Sequence, residues 1–162
     1  MTRRFFALLL VALTCAAIPA WAQSDRATVK VIAQSGEIVV VRVHCYGHNE
    51  RAVMDNSKKA PLQKLLFEGL EGLSDEPIVS KDVDPKQHLW LMKFFTEEAG
   101  RDTYNEYVEG IEILGEIQTS STGGYEGSAH VFLKYDRLLR KAKAEGVVKK
   151  ASSGNSGGGG WL

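Results

Sequence analysis

Two short segments near residue 40 carry the pattern that most restricts how this chain can fold. Residues 28–33 and 37–46 are rich in β-branched side chains, and Gly36, between them, can supply the positive φ of a tight turn. Because side chains alternate along a strand, one face of the second segment is apolar throughout and the other is mixed. The apolar face consists of Val39, Val41, Val43 and Cys45. The pattern therefore predicts a β-hairpin with one buried face.

A second pair of alternating segments lies nearer the C-terminus. Ile111, Ile113 and Ile117 alternate with a mostly polar set, Glu112, Leu114, Glu116 and Gln118, and apolar residues alternate again over residues 129–135. Residues 119–124, which are rich in Ser, Thr and Gly, predict the turn between these two strands. The two hairpins together predict an antiparallel sheet of about four strands.

The segment after the first hairpin has helical spacing but contains a proline. Asn49 is a candidate N-cap for a helix that extends towards Leu70. Pro61 inside this stretch fits either one kinked helix or two short helices, the second with Pro61 in its first turn. A proline inside a helix destabilises the fold by about 3 kcal/mol, whereas burial of one leucine stabilises it by roughly 1.5–3 kcal/mol. Both arrangements therefore stay open.

Two further helices are predicted from their end signals. Asp84 is a candidate N-cap, Gln87 can complete a capping box and Gly100 fits the end of this helix. Asp136 is a candidate N-cap for a last helix over residues 137–145. The fold class predicted from these elements is α+β, with the helices packed on one face of the antiparallel sheet.

The two ends of the chain predict an exported protein with a single domain over residues 23–150. Residues 1–22 contain an arginine pair, an apolar run and a small-residue cleavage signal, which predict a cleaved signal peptide. The apolar run is shorter than a membrane-spanning helix requires, and the residues before Cys15 do not match the pattern that precedes a lipidated cysteine. Residues 151–162 are Gly/Ser-rich and predict a disordered tail.

Composition excludes two classes of protein. The 20 basic and 20 acidic side chains give no net charge, so we expect no nucleic acid as a partner. Removal of the leader leaves Cys45 as the single thiol, which excludes a scaffold held by internal disulfides. In an oxidising compartment an exposed Cys45 could join two chains, so a dimer through this residue is an expectation to test. The predicted location is periplasmic, outer-membrane-associated or extracellular, with no transmembrane segment after cleavage.

One strand-to-helix junction and the last strand and helix carry a family resemblance. They comprise residues 43–49, Ala52, Asn56 and Ala60 at four-residue intervals, residues 65–69, and residues 131–135 with Leu138 and Leu139. They resemble small secreted bacterial envelope proteins that are similar to the N-terminal domain of the flagellar assembly T protein and to small surface lipoproteins. The resemblance covers roughly a third of the mature chain and implies an α+β envelope domain without assigning functional residues. Cys45 replaces the first glycine of that family's Gly-x-Gly turn, and Pro61 interrupts its long helix.

The cluster with the most metal-like composition is His44, Cys45 and His48, because imidazole and thiolate bind zinc and copper. Adjacent strand residues point to opposite faces, so His44 and Cys45 could share one ion only at a bulge. A closed zinc site would also need a fourth ligand, such as His88 or His130. The competing interpretation is that Cys45 is a small buried hydrophobe and the histidines are polar residues at a strand end.

No catalytic constellation is predicted, and no cofactor. Ser128 and His130 bring a hydroxyl near an imidazole, but the sequence assigns no acid to orient the histidine, and the two side chains are expected to share the solvent face of a strand. A hydrolase acting through Ser128 or Cys45 is therefore the weakest of the functional hypotheses.

The helix that follows Asp84 contains a run that is apolar almost all round, which predicts burial on several sides or a covering partner. This interaction patch consists of Trp90, Met92, Phe94 and Phe95. The first functional hypothesis is thus a non-enzymatic accessory or protein-interaction domain of the cell envelope, with an unknown envelope protein as partner. The alternative is a periplasmic ligand- or metal-binding protein that uses His44, Cys45 and His48.

Overall fold

The chain folds as a four-stranded antiparallel sheet with three α-helices, which confirms the predicted α+β class. The structure is a computed structural model that describes residues 27–79, 84–96 and 103–148. The signal peptide predicted at residues 1–22 and the tail predicted at residues 151–162 lie outside these ranges.

The elements follow one another in the order of two hairpins separated by helices. They are β1 (Thr28–Ser35), β2 (Ile38–Gly47), α1 (Glu50–Phe67), α2 (Pro85–Phe94), a 3₁₀ turn (Tyr104–Tyr107), β3 (Val108–Thr119), β4 (Tyr125–Lys134) and α3 (Tyr135–Ala144). The strand order in the sheet is β1-β2-β4-β3, so the two hairpins meet where β2 pairs with β4. No helix in the described ranges has the length and apolar character needed to cross a membrane.

The central strands pair regularly and the outer strands do not. Strands β2 and β4 keep one antiparallel register from Ile38, opposite Lys134, to Gly47, opposite Tyr125. Strand β1 shifts register between Val31 and Ala33, and β3 shifts twice along its length. The turn of the first hairpin contains Gly36 at φ +57°, as its sequence predicts.

The core lies between one face of the sheet and the helices. The alternation predicted for β2 is confirmed, because every second side chain is almost fully buried. The buried strand residues are Val39, Val41, Val43 and Cys45 from β2, and Ala129, Val131 and Leu133 from β4. Side chains of all three helices join the same core cluster, including Leu62, Leu65, Leu91, Phe94, Leu138 and Ala142. The prediction that the helices pack on one face is therefore confirmed.

Helix α1 is continuous through Pro61, which selects one of the two arrangements that the sequence leaves open. Asn49 is the N-cap, and its side chain accepts a hydrogen bond from the backbone N–H of Ala52 at 2.8 Å. Pro61 cannot donate to the carbonyl four residues earlier, but it is itself buried and is followed by the fully buried Leu62. Burial of this face offsets the missing hydrogen bond.

Helix α2 begins where predicted but ends earlier. Asp84 and Gln87 form the capping box through bonds of 2.8 and 2.9 Å. The helix ends at Phe94, so the end predicted at Gly100 is wrong, and Gly100 itself lies outside the described residues. Thr96 accounts for the stop, because its N–H bonds to Lys93 in a tightened turn and its hydroxyl donates to the Met92 carbonyl at 3.0 Å.

The predicted N-cap of the last helix is also wrong. Helix α3 begins at Tyr135, directly after β4, and Asp136 lies inside its first turn. Lys134 occupies the N-cap position and makes no side-chain capping bond. Asp136 still carries its charge near the positive end of the helix dipole, which is a favourable place for an acid.

Candidate functional site

The three residues of the proposed metal cluster do not converge. Cys45 points into the core, whereas His44 lies on the opposite, outer face of the sheet and His48 is exposed beyond the end of β2. Strand alternation dictates this separation, since no bulge interrupts β2 where it pairs with β4. Within residues 27–79, 84–96 and 103–148, no group of three or more His, Cys, Asp or Glu side chains could hold a metal ion.

The Cys45 thiol is held in its protonated form. Cys45 is only 1% exposed to solvent. Burial raises the pKa of Cys45 from 9.0 to about 11, against a smaller lowering by a hydrogen bond with the Ser57 side chain. Because thiolate is the reactive form and the sulfur is enclosed, this environment opposes the interchain disulfide considered above.

We therefore expect native Cys45 to react slowly with alkylating agents. The pKa difference from 9.0 to about 11 alone lowers the thiolate fraction near neutral pH about a hundredfold, and burial slows access further. Iodoacetamide labelling of the Cys45 peptide, followed by mass spectrometry, should be at least about a hundredfold slower in native protein than in urea-unfolded protein. Equal rates in the two states, or a reducible dimer that Cys45→Ser abolishes, would contradict the buried placement.

Ser128 forms a hydrogen bond with His44 rather than with its chain neighbour His130. His44 Nδ1 lies 3.0 Å from Ser128 Oγ across β2 and β4, and the edge of the Tyr46 ring faces the imidazole at 5.2 Å between centroids. Ser128 and His130 do share the outer face of β4, as predicted. Among the described residues no carboxylate is hydrogen-bonded to His44, so the pair lacks the third group that orients a catalytic histidine.

The outer face of the sheet has an apolar centre. Val40 on β2 and Phe132 on β4 lie directly opposite each other, and both are partly exposed. On the far side of Phe132, β3 contributes Gly110, where an added Cβ would lie 3.8 Å from the Phe132 ring. The ring therefore lies against a strand position without a side chain. We call Val40, Phe132 and Gly110 the outer-face centre.

Polar and charged side chains flank the outer-face centre on both sides. On one side, His130 lies between Arg42, at 3.4 Å, and Glu112, at 3.5 Å. On the other, Lys134 pairs with Glu109 at 2.6 Å. An apolar centre with polar and charged side chains around it resembles the anatomy of protein–protein interfaces.

The predicted interaction patch on α2 divides between core and surface. Phe94 is 1% exposed and packs against Tyr107 with ring centroids 5.4 Å apart. Trp90 and Phe95 are partly buried, whereas Met92 is 50% exposed. Leu89, which the prediction omitted, is 48% exposed on the same helix. The patch therefore anchors α2 through some of its members and presents others outward.

A cleft of about 600 Å³ lies between α1, α2 and the end of β2. It brings together Cys45 from the predicted metal cluster with Met92 and Phe95 from the predicted patch. Helix α1 lines it with a stripe of residues at helical spacing, namely Asn56, Lys59, Ala60, Gln63 and Phe67. Clefts of this size with mainly apolar walls and a few polar groups are typical of small-molecule sites.

Among the described residues that line the cleft, the one cation is already paired with an acid. Lys59 Nζ lies 2.7 Å from Asp55 Oδ2 and 4.9 Å from the centre of the Tyr104 ring. Tyr104 also donates a hydrogen bond of 2.5 Å to Asp55 Oδ1. Burial raises the pKa of Asp55, but the bonds from Lys59 and Tyr104 outweigh it and hold the pKa below its usual value. Asp55 thus remains charged and paired with Lys59.

Comparison with protein-family models, curated proteins and solved structures finds no match to this chain. Its functional residues must therefore be inferred from the chain's own geometry.

Sequence reasoning missed the outer-face centre and the α1 side of the cleft. The pairing of Val40 with Phe132 depends on the register between two hairpins that are far apart in the chain, which no local pattern reports. The i, i+4 and i+7 spacing of Asn56, Ala60 and Gln63 was a readable signal for a shared helix face. It does not reveal that the face lines a cleft.

Proposed function

We propose that this protein is an exported, non-enzymatic accessory protein of the bacterial cell envelope that acts by contacting another protein. The signal-peptide pattern of residues 1–22 and the resemblance to small envelope proteins support the location. The observation that carries the interaction role is the outer-face centre, which places a partly exposed aromatic and aliphatic pair on the sheet face opposite the helices.

The contact chemistry follows from the composition of that face. Phe132 and Val40 supply the apolar anchor, since aromatic side chains near the middle of a patch contribute most to protein binding. The surrounding Arg42, His130 and Glu112 form a polar rim that favours one docking orientation over others. The partner proposed here is a protein with an exposed apolar surface and complementary rim charges.

Site-specific crosslinking in intact cells tests this proposal. A photoreactive benzoylphenylalanine at position 132 retains the aromatic character of Phe132 and should give one discrete adduct with an envelope protein. The matched control places the same residue at Met54, which is 40% exposed on α1, and should give adducts at least about tenfold weaker. Equal adducts from both positions, or none from position 132, would contradict an interaction through the outer face.

The second candidate function is small-ligand binding, and the cleft favours it. The metal-binding form of this alternative, through His44, Cys45 and His48, gains no support because the three side chains lie on different sides of the sheet or beyond its end. The ligand-binding form uses different residues from those the sequence suggests, and its chemistry is developed next.

A further inference from the structure

The cleft exists because α2 is fastened at its two ends and does not pack along α1. At its start, Gln87 Nε2 donates a 2.8 Å hydrogen bond to the carbonyl of Gly146, just after α3. At its end, Phe94 packs on Tyr107, and Phe95 stacks on Tyr104 at 6.4 Å. The ring of Phe95 also meets Phe67 of α1 at 6.2 Å, which closes one end of the cleft. These contacts near the two ends of α2 therefore hold the space open.

The walls of the cleft are mainly apolar, and its α1 side carries two amides. Leu91 and Met92 face it from α2, Phe95 faces it from the residue that follows α2, and Phe67 closes it from α1. Asn56 Nδ2 donates to the Tyr46 carbonyl at 2.7 Å, which fixes the side chain. In the described part of the chain, neither the Asn56 side-chain oxygen nor the Gln63 amide has a hydrogen-bond partner in the protein. Both amides lie on one face of α1, about 10 Å apart along its axis.

Charge decides between a charged and a neutral occupant. Lys59 is paired with Asp55, so an anionic ligand would have to break that pair to gain a counter-charge. Glu68 is the only acid among the described residues that line the cleft, and it is exposed. Bringing an ion into an apolar site without a buried partner is costly, whereas amides satisfy neutral hydrogen-bonding groups.

We propose that the cleft binds a small uncharged amphiphile, with an aromatic or aliphatic body among Phe67, Met92 and Phe95 and hydrogen-bonding groups that meet Asn56 and Gln63. Ala60, between the two amides, is small enough to leave room for the body of the ligand. The cleft is separate from the outer-face centre, so the ligand-binding proposal and the protein-contact proposal can be tested independently.

Two fluorescent probes test the charge and the site. Neutral N-phenylnaphthylamine should bind the purified protein saturably and at least about tenfold more tightly than the anionic anilinonaphthalene sulfonate. Met92→Ala should weaken binding of the neutral probe about tenfold, because it removes one apolar wall. The matched control is Leu89→Ala on the same helix, which removes a side chain of nearly equal exposure outside the cleft and should leave binding unchanged.

A second variant keeps the test independent of α2. Ala60→Trp should fill the cleft and abolish probe binding, while Met54→Trp places the same side chain at an exposed position of α1 and should retain it. Circular dichroism checks that both variants fold. If Ala60→Trp does not fold, the comparison of Met92→Ala with Leu89→Ala decides.

Three outcomes would overturn the proposal: equal affinity for the two probes, equal losses of affinity in Met92→Ala and Leu89→Ala, or no binding by the unaltered protein. A protein crosslinked through Met92 in the absence of probe binding would assign the cleft to a protein partner instead.

Discussion

Replacing Phe94 with alanine should lower the free energy of unfolding by about 3–5 kcal/mol, since it deletes a fully buried aromatic side chain. Phe94 is 1% exposed, and its ring meets those of Trp90, Phe95 and Tyr107 at 5.3, 4.9 and 5.4 Å. The cavity left behind would separate α2 from the 3₁₀ turn before β3. Urea denaturation followed by circular dichroism measures the loss.

The control for this prediction lies on the same helix. Leu89→Ala removes an apolar side chain that is 48% exposed, so its effect should stay below about 1 kcal/mol. Similar losses in the two variants would mean that α2 is not anchored through Phe94. The comparison also separates Phe94, the buried member of the predicted interaction patch, from an outward-facing residue of the same helix.

The second large effect is expected from Gly47→Ala. Gly47 ends β2 without a positive φ, so the cost comes from space rather than from backbone conformation. An added Cβ would lie 2.6 Å from the Val53 nitrogen and 2.8 Å from the Ala52 carbonyl carbon, both backbone atoms in the first turn of α1. The strand and helix would have to separate, and we expect a loss of about 2–3 kcal/mol in unfolding free energy.

Gly110→Ala is the matched control, because its backbone is also free of positive φ. The added Cβ would meet the Phe132 ring at 3.8 Å, which is an ordinary contact. This substitution should leave stability unchanged or raise it by up to about 1 kcal/mol, since alanine has fewer unfolded conformations to lose. A larger loss at Gly110 than at Gly47 in the same denaturation assay would contradict the close approach of β2 and α1.

Local signals predicted the elements of this fold well where nothing distant competed with them. The alternation along β2 and the caps at Asn49 and Asp84 are decided within a few residues, and the structure confirms them. Asp136 failed as a cap because β4 passes straight into α3 and leaves no loop in which a capping residue could sit. The continuity of α1 through Pro61 depended on burial against the sheet, which the sequence alone left open.

The candidate sites were harder to predict because each combines distant parts of the chain. His44 meets Ser128, and Val40 meets Phe132, only because β2 pairs with β4 across more than 80 residues. The cleft likewise depends on how Gln87 and Phe94 fasten α2 to elements that follow it in sequence. Residue types suggested chemistry at Cys45 and Met92, but only the fold shows that both border one space.

The irregular outer strands limit how other chains can attach to this molecule. A register shift interrupts β1 between Val31 and Ala33, and β3 is interrupted near Gly115, which adopts φ +81°. An incoming strand needs an unbroken ladder of free amide and carbonyl groups to extend a sheet. Neither edge strand of the described sheet provides a long unbroken ladder. Fibril-like stacking and recognition by strand addition are therefore both disfavoured. A partner would instead contact a face of the sheet or the helices.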